Sequence, residues 1–267
     1  MVRTNTSLAR ILILGSAAVT GLAMPGINGS NGIYGTNVAI AAEDIGKLIA
    51  DADQARGGLL DGVEWKVDVH SVIDDKTEDL KLAFKRKGYN ARLDIMEPAA
   101  RSGEALLFRD HDLYYKKPGL KRPMIINPSQ KTLGPTSNGD LAAADYARDY
   151  NAEIIGSEKV DGVDCYTLML KAKPGRKPTY QAVRYWISKD KHLGLKAEFL
   201  TASGDVFKTA TYTYDAKIKV AGKMMPFVSS MSFQDKQKPK NITQVKIQNP
   251  SVVPLTESDF ELKNFSK

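Results

Sequence analysis

Histidine and cysteine are the residue types in this chain that most often carry metal binding or nucleophilic catalysis. The sequence holds three histidines and one cysteine, and His111 lies between two aspartates. A zinc site needs several such ligands at short spacings, as in HExxH, and the sequence has no such pattern. We therefore expect no catalytic residue, no metal and no cofactor, and we interpret His111 as part of a solvated hairpin tip.

The glycine patterns of nucleotide-binding and hydrolytic enzymes are also missing from the sequence. It contains no G-x-S-x-G elbow, no Walker loop and no dinucleotide fingerprint. Acidic pairs such as Asp74-Asp75 fall in predicted turns, where solvated charges are expected. A binding protein is thus favoured over an enzyme, and a hydrolase is the weakest of the hypotheses.

The amino-terminal stretch differs from the rest of the chain. Two arginines introduce an apolar run over residues 11–24, and a small-residue site, Ala-Ile-Ala, follows at residues 39–41. A positive start, an apolar middle and such a site are typical of a secretory signal peptide. We predict a signal peptide over residues 1–41 and a single exported domain over residues 42–267. Cleavage near Ala23 and a retained membrane anchor are the alternatives.

The charge of the chain limits the classes of partner that we expect, and its single cysteine limits its thiol chemistry. The net charge is +7, and short basic clusters at residues 85–87, 116–117 and 121–122 fall at predicted turns or strand ends. We interpret them as solvated, with contact to anionic lipid headgroups as the functional alternative. No nucleic-acid-binding motif is present, so nucleic acid is not an expected partner. The single cysteine, Cys165, lies in an alternating apolar run and is predicted to be a buried thiol.

Two short helices and a proline-rich loop interrupt a chain that otherwise reads as strands. Residues 43–56 place apolar side chains on one helical face and end at a Gly-Gly pair. A second helix is predicted over residues 141–150, with Asp140 as its cap. Residues 118–137 hold four prolines and are predicted to be a loop.

Elsewhere, apolar and polar residues alternate with the period of two that is typical of strands with one buried face. The alternation predicts a mainly β, α+β fold with a single antiparallel sheet of about ten strands, which must curl strongly or close to hide its apolar face. The predicted strands include residues 63–69, 80–85, 91–95, 103–109, 113–117, 152–158, 163–171, 180–188, 193–201, 206–215, 224–234 and 241–253.

The inner face of this sheet is too wide for two short helices to cover fully. As a set, its side chains favour a hydrophobic pocket for a ligand over a filled core. The alternative is that they pack on one another and on the helices. The candidate ligand-binding residues are Trp65, Val67, Val69, Leu82, Phe84, Leu93, Ile95, Tyr185, Phe199, Tyr212 and Phe227.

Four segments resemble a known family, the outer-membrane lipoprotein-sorting proteins with the LolA-like fold. Residues 89–108 carry the R-x-x-I-x-x-P-x-x-x-x-G-x-x-L pattern of a strand pair in that family. Residues 156–174, residues 184–212 and the closing ESDFELKNF follow in the family's order and spacing. The resemblance covers about residues 60–265. One departure is the segment before the second helix, residues 134–140, where many relatives have a Gly-Ser-Asp-Phe-like sequence.

The resemblance implies a strongly curved, incomplete antiparallel β-barrel whose open side is closed by short helices that form a lid. It also implies a soluble periplasmic carrier or chaperone, not an enzyme, that binds the acyl chains of a lipid or lipoprotein in a hydrophobic cavity. An inner-membrane exporter would be the donor and the outer membrane the acceptor, and we expect a monomer. The alternative is a periplasmic lipid-sensing regulator that controls a partner protein through the same cavity.

Overall fold

The computed structural model describes residues 42–109, 112–142 and 145–266. The predicted signal peptide and the hairpin tip at His111 lie outside these residues. The prediction of a single domain over residues 42–267 therefore stays a prediction.

Most of the described chain forms antiparallel strands. Their bounds are β1 Val63–Ile73, β2 Lys76–Lys87, β3 Asn90–Glu97, β4 Ala105–Arg109, β5 Asp112–Lys116, β6 Met124–Ile126, β7 Lys131–Leu133, β8 Thr136–Ser137, β9 Tyr150–Val160, β10 Val163–Ala172, β11 Ala182–Ser188, β12 Gly194–Leu200, β13 Val206–Thr213, β14 Ala216–Val220, β15 Lys223–Phe227, β16 Ser230–Asp235 and β17 Ile242–Val252. The main sheet has 13 strands in the order β6-β5-β4-β3-β2-β1-β17-β16-β13-β12-β11-β10-β9. Within the described residues its two edge strands do not pair with each other, so the sheet is not closed.

The alternation of residue types decides which face of the sheet is buried. Along β1 the buried positions alternate with more exposed ones, and Trp65 and Val67 lie directly opposite Phe84 and Leu82 of β2. Cross-strand apolar pairs of this kind fix the register, because a slip of one residue would turn every apolar side chain to water.

Helices cover part of the inner face. Their bounds are α1 Ala42–Ala55, α2 Asn138–Ala142, α3 Tyr146–Asp149 and α4 Leu262–Phe265. The apolar side of α1 is buried in the same cluster as the sheet. Gly57, just after α1, has φ +88°, and a Cβ there would lie 2.7 Å from the Trp65 ring, so glycine allows both the turn and the close contact. No helix in the described part of the chain is long and apolar enough to span a membrane.

A second, smaller core lies on the opposite face of the sheet. Ala105 and Leu107 of β4 belong to it, whereas their neighbours Leu106 and Phe108 belong to the inner cluster. The carboxyl-terminal segment covers this outer core with Phe260 and with Phe265 of α4. The predicted buried thiol of Cys165 is also confirmed, since that residue has no exposed surface.

The number of strands differs from the predicted number of about ten. Part of the proline-rich segment forms β6, which pairs with β5 and adds one strand to the edge of the sheet. The run at residues 224–234 is two strands, of which only β16 joins the main sheet, while β15 pairs with β14. The break falls where the backbone N–H of Val228 donates to the carbonyl of Ala55 at the end of α1, at 2.9 Å.

The predicted helix over residues 141–150 is also wrong in its bounds. In the structure α2 begins before the predicted segment and ends at Ala142, and α3 is a separate short helix inside the segment. Tyr150, the last predicted helical residue, is the first residue of β9. The backbone of Asp145 leaves the helical region at φ −118° and ψ 60°, and its side chain is buried in an ion pair. We refer to α2 and α3 together as the lid helices.

Candidate functional site

The residues predicted to bind a ligand all point to the inner face of the sheet. Each is buried, and all of them belong to one continuous cluster. They are Trp65, Val67, Val69, Leu82, Phe84, Leu93, Ile95, Tyr185, Phe199, Tyr212 and Phe227. Ligand binding by these residues stays a prediction, because their burial alone also fits a filled core.

The inner face divides into an apolar half and a charged half. In the apolar half, Trp65 stacks on Phe84 at 4.0 Å between ring centroids and meets Phe227 edge-on at 5.4 Å. In the charged half, Tyr146 of α3 meets Tyr185 of β11 edge-on at 5.2 Å, and ionisable side chains are buried among such rings. We call these side chains the interior charge cluster; its members are Asp53, Arg56, Arg86, Asp140, Asp145 and Lys208.

Two small cavities lie in this interior, each of about 30 Å³. Arg56 and Asp140 line both of them. A cavity of this size holds roughly one water molecule, whereas a benzene-sized ligand needs about 150 Å³. The interior is therefore closed to an acyl chain in this conformation.

Asp53 of α1 and Arg56, the residue just after this helix, form a buried ion pair in the cluster. The Arg56 guanidinium donates to the Asp53 carboxylate at 2.9 Å, and both side chains are almost fully buried. The other oxygen of Asp53 accepts the backbone N–H of Ala147 at 2.8 Å. The guanidinium also lies 4.4 Å from the centre of the Tyr146 ring, a favourable cation–π distance. The pair thus joins α1 to α3.

A second ion pair joins α3 to the sheet. Arg86 of β2 donates to Asp145, with both side chains buried. Arg148 lies 3.7 Å from the same carboxylate and donates to Asp149 at 2.7 Å. The sequence interpretation of the basic cluster at residues 85–87 as solvated is therefore wrong for Arg86. It is in phase with Leu82 and Phe84, so its side chain points inward.

A third contact joins α2 to the sheet. Lys208 of β13 donates to Asp140 and to the hydroxyl of Tyr180. Tyr180 in turn donates to the other oxygen of Asp140 at 2.8 Å. The backbone N–H and the hydroxyl of Ser137 donate to Asp140 at 2.7 and 2.9 Å. The segment that departs from the family pattern, residues 134–140, thus supplies the start of α2 and its attachment to the sheet.

Comparisons with known proteins agree with this architecture. A family model described as "-like: Uncharacterized protein" matches residues 90–267, which is more than half of the chain. The structure is similar to that of a LolA superfamily protein from Nitrosomonas europaea, at 27% identity and a TM-score of 0.72, over 84% of this chain and 98% of that one. The chain therefore belongs to the family of that model, and it has the LolA-like fold.

Two further solved structures share the LolA-like fold. A DUF1329 family protein from Desulfovibrio piger has 20% identity and a TM-score of 0.69, over 84% of this chain and 98% of that one. An outer membrane lipoprotein-sorting protein domain from Vibrio parahaemolyticus has 17% identity and a TM-score of 0.71, over 85% of this chain and 100% of that one. None of the curated proteins matches the sequence.

Burial changes the protonation of groups inside this LolA-like interior. Burial raises the pKa of Asp53 from its ordinary 3.8 to about 7, because loss of hydration outweighs the attraction of Arg56 and the hydrogen bond from Ala147. Burial likewise raises the pKa of Tyr185 and of Tyr212, although Arg56 lies beside both rings. Near neutral pH the ion pair of Arg56 thus depends on a carboxyl group that also takes up a proton.

Sequence reasoning missed the interior charge cluster. Lys208 alternates with Ala210 and Tyr212, both of which point inward, so its phase could have placed it inside. Asp53 directly follows Ala52 on the apolar side of α1, and Arg56 lies one turn further. Residue type assigns such charged side chains to the surface, whereas their phase in the strand or helix places them inside. In the described part of the chain no group of His, Cys, Asp and Glu side chains is placed to hold a metal ion.

Proposed function

We propose that this LolA-like chain is a periplasmic, non-catalytic carrier that binds the acyl chains of a lipid or lipoprotein between its sheet and its lid helices. It would receive them from an inner-membrane exporter and move them, as a monomer, towards the outer membrane. The observation that supports the proposal is the continuous buried apolar face of the sheet, over which short helices lie. The likeness to a lipoprotein-sorting protein domain points in the same direction.

Uptake of an acyl chain requires the lid helices to move. The cavities of about 30 Å³ are too small for a chain of methylenes, and the contacts of Asp140 and Asp145 fix the lid on the sheet. Burial of an acyl chain contributes about 0.8 kcal/mol per methylene. A chain of a dozen methylenes therefore contributes roughly 10 kcal/mol, which has to offset the loss of both buried ion pairs that hold the lid helices.

The same lid movement also supports the second candidate function, a lipid-sensing regulator. The ion pairs of Arg86 and Lys208 hold the lid helices in one position, so a ligand that displaces them changes the surface that α2 and α3 present. A carrier passes its ligand from donor to acceptor vesicles. A regulator holds a partner protein in a complex that the ligand breaks.

Native mass spectrometry of the mature protein, purified from the periplasm without detergent, tests the proposal. A carrier should retain a phospholipid, an acyl chain or a lipopeptide, which lipid extraction would then identify. An empty protein that also fails to take up a fluorescent fatty acid would contradict lipid binding and leave the inner face as a filled core.

A further inference from the structure

Arg56 lies where the two interior cavities meet. The cavity in the apolar half is lined by Trp65, Phe84 and Leu93, together with the charged side chains of Arg56, Arg86 and Asp140. The other cavity is lined by Arg56 and Tyr212, and also by Lys177, which is exposed. A charged group is thus placed between an apolar space and a more polar one.

The guanidinium of Arg56 retains an unused donor at this junction. Its side chain is 6% exposed, and its Nε has no hydrogen-bond partner among the described residues. An arginine carries five N–H donors and no acceptor, and a buried donor without a partner is unfavourable. The unused donor is therefore a place where an acceptor from a ligand would fit.

The acids around this cavity are already engaged. Asp140 binds Lys208, Asp145 binds Arg86, and Asp149 binds Arg148. The partner of Arg56 itself is Asp53, which also accepts the backbone N–H of Ala147. Of the buried cations in the part of the chain that the structure describes, Arg56 is the one that lines both cavities.

We propose that the ligand is a single-chain anionic amphiphile, whose carboxylate or phosphate head binds the Arg56 guanidinium and whose chain lies against Trp65, Phe84 and Leu93. This inference rests on the proposed function and specifies, in addition, that the head group of the ligand is negatively charged. Arginine suits the role because its planar fork matches the oxygens of carboxylates and phosphates. Lys177, an exposed residue that lines the second cavity, would attract the same head once the lid helices have moved.

Displacement of a neutral fluorescent probe, N-phenyl-1-naphthylamine, from the mature protein at pH 8 tests this proposal. Dodecanoate, dodecyl phosphate and dodecanol have the same chain and differ in the head. We expect at least one of the two anions to bind ten times more tightly than dodecanol, and the better of the two identifies the head. Equal affinities for all three would overturn the proposal, and the probe's binding would still support an amphiphile carrier.

In the variant Arg56→Gln the affinity for the anion should be about equal to that for dodecanol, a ratio of about one. Arg56→Lys should keep part of the preference for the anion. Arg92→Gln is the matched control, because Arg92 pairs with Asp94 and lies over the Phe265 ring on the outer face. A loss of affinity for all three compounds alike in Arg56→Gln would show that Arg56 only holds α1 to the lid, and would overturn the proposal.

Asp53→Asn keeps the test valid if Arg56→Gln does not fold. It leaves the guanidinium without its carboxylate, so the preference for the anion should increase several-fold. An unchanged or lower preference would contradict binding of the head at Arg56. Failure of the wild-type protein to bind the probe or any of the three amphiphiles would instead overturn the proposed function itself.

Discussion

The apolar half and the charged half of the inner face bury comparable side chains by different physical means. In the apolar half, Trp65 and Phe84 gain stability from non-directional burial, which tolerates rearrangement. In the charged half, Asp140 and Asp145 are stable only while their cations stay within hydrogen-bond reach. The charged contacts reach the lid helices, so under the proposed function the apolar half would adapt to a ligand and the charged half would hold the lid closed.

The largest effect should come from breaking a buried ion pair in the charged half. Arg86→Met leaves Asp145 buried and without its main cation, which should cost about 3–5 kcal/mol of unfolding free energy. Arg92→Met is the control, because its pair with Asp94 is partly exposed and should contribute about 1 kcal/mol or less. Urea unfolding measures both. A loss of under about 1 kcal/mol in Arg86→Met would mean that the charged half does not depend on this pair.

A core substitution on each face separates stability from ligand uptake. Leu93 and Leu107 lie on the neighbouring strands β3 and β4, and both are fully buried, on opposite faces. Each Leu→Ala substitution should cost about 2–5 kcal/mol. Only Leu93→Ala enlarges the apolar cavity, so only that variant should change the uptake of a fluorescent fatty acid. A change of the same size in Leu107→Ala would show that uptake follows overall stability and not the apolar half.

The pH dependence of the unfolding free energy should reveal the raised pKa of Asp53. Its pKa is raised to about 7 from 3.8, so between these values the folded chain keeps a proton that the unfolded chain has released. Stability from this group is present below pH 4 and is lost as the pH rises through about 7. The unfolding free energy of wild type minus that of Asp53→Asn should therefore fall from pH 5 to pH 8, by at most about 1.4 kcal/mol per unit.

Asp259 on the outer face is the control for this titration. The hydrogen bond from the Thr256 backbone is the largest influence on its pKa, and the net effect is to lower it. Stability from Asp259 is therefore present above its ordinary pKa and lost only as the pH falls further. The difference between wild type and Asp259→Asn should stay flat from pH 5 to pH 8. A flat difference for Asp53→Asn as well would place the Asp53 titration outside this range.

Sequence periodicity predicted the apolar half well and the charged half poorly. The alternation through Trp65 and Val67 reports burial directly, because apolar type and inward phase agree there. At Arg86 and Lys208 the two signals disagree, because the charged type favours the surface while the phase points inward. The pairs themselves join residues far apart in the chain, such as Arg86 and Asp145, and no local pattern predicts which distant acid meets a buried cation. The strand count was wrong because β6 forms within a segment with many prolines, and because the run at residues 224–234 is divided into β15 and β16.

The smallest effect should come from the attachment of α2, which has a close counterpart on the outer face. In Ser137-x-x-Asp140 and in Thr256-x-x-Asp259, the aspartate accepts both the backbone N–H and the hydroxyl of the first residue. Ser137→Ala and Thr256→Ala should each cost about 1 kcal/mol. Ser137 directly precedes α2, and its hydroxyl oxygen lies 2.7 Å from that of Tyr180, so only its substitution should speed the uptake of a fluorescent fatty acid in a stopped-flow measurement. Equal uptake rates in both variants would mean that α2 does not move when the interior opens, and that the charged half controls the lid through α3 and Asp145 instead.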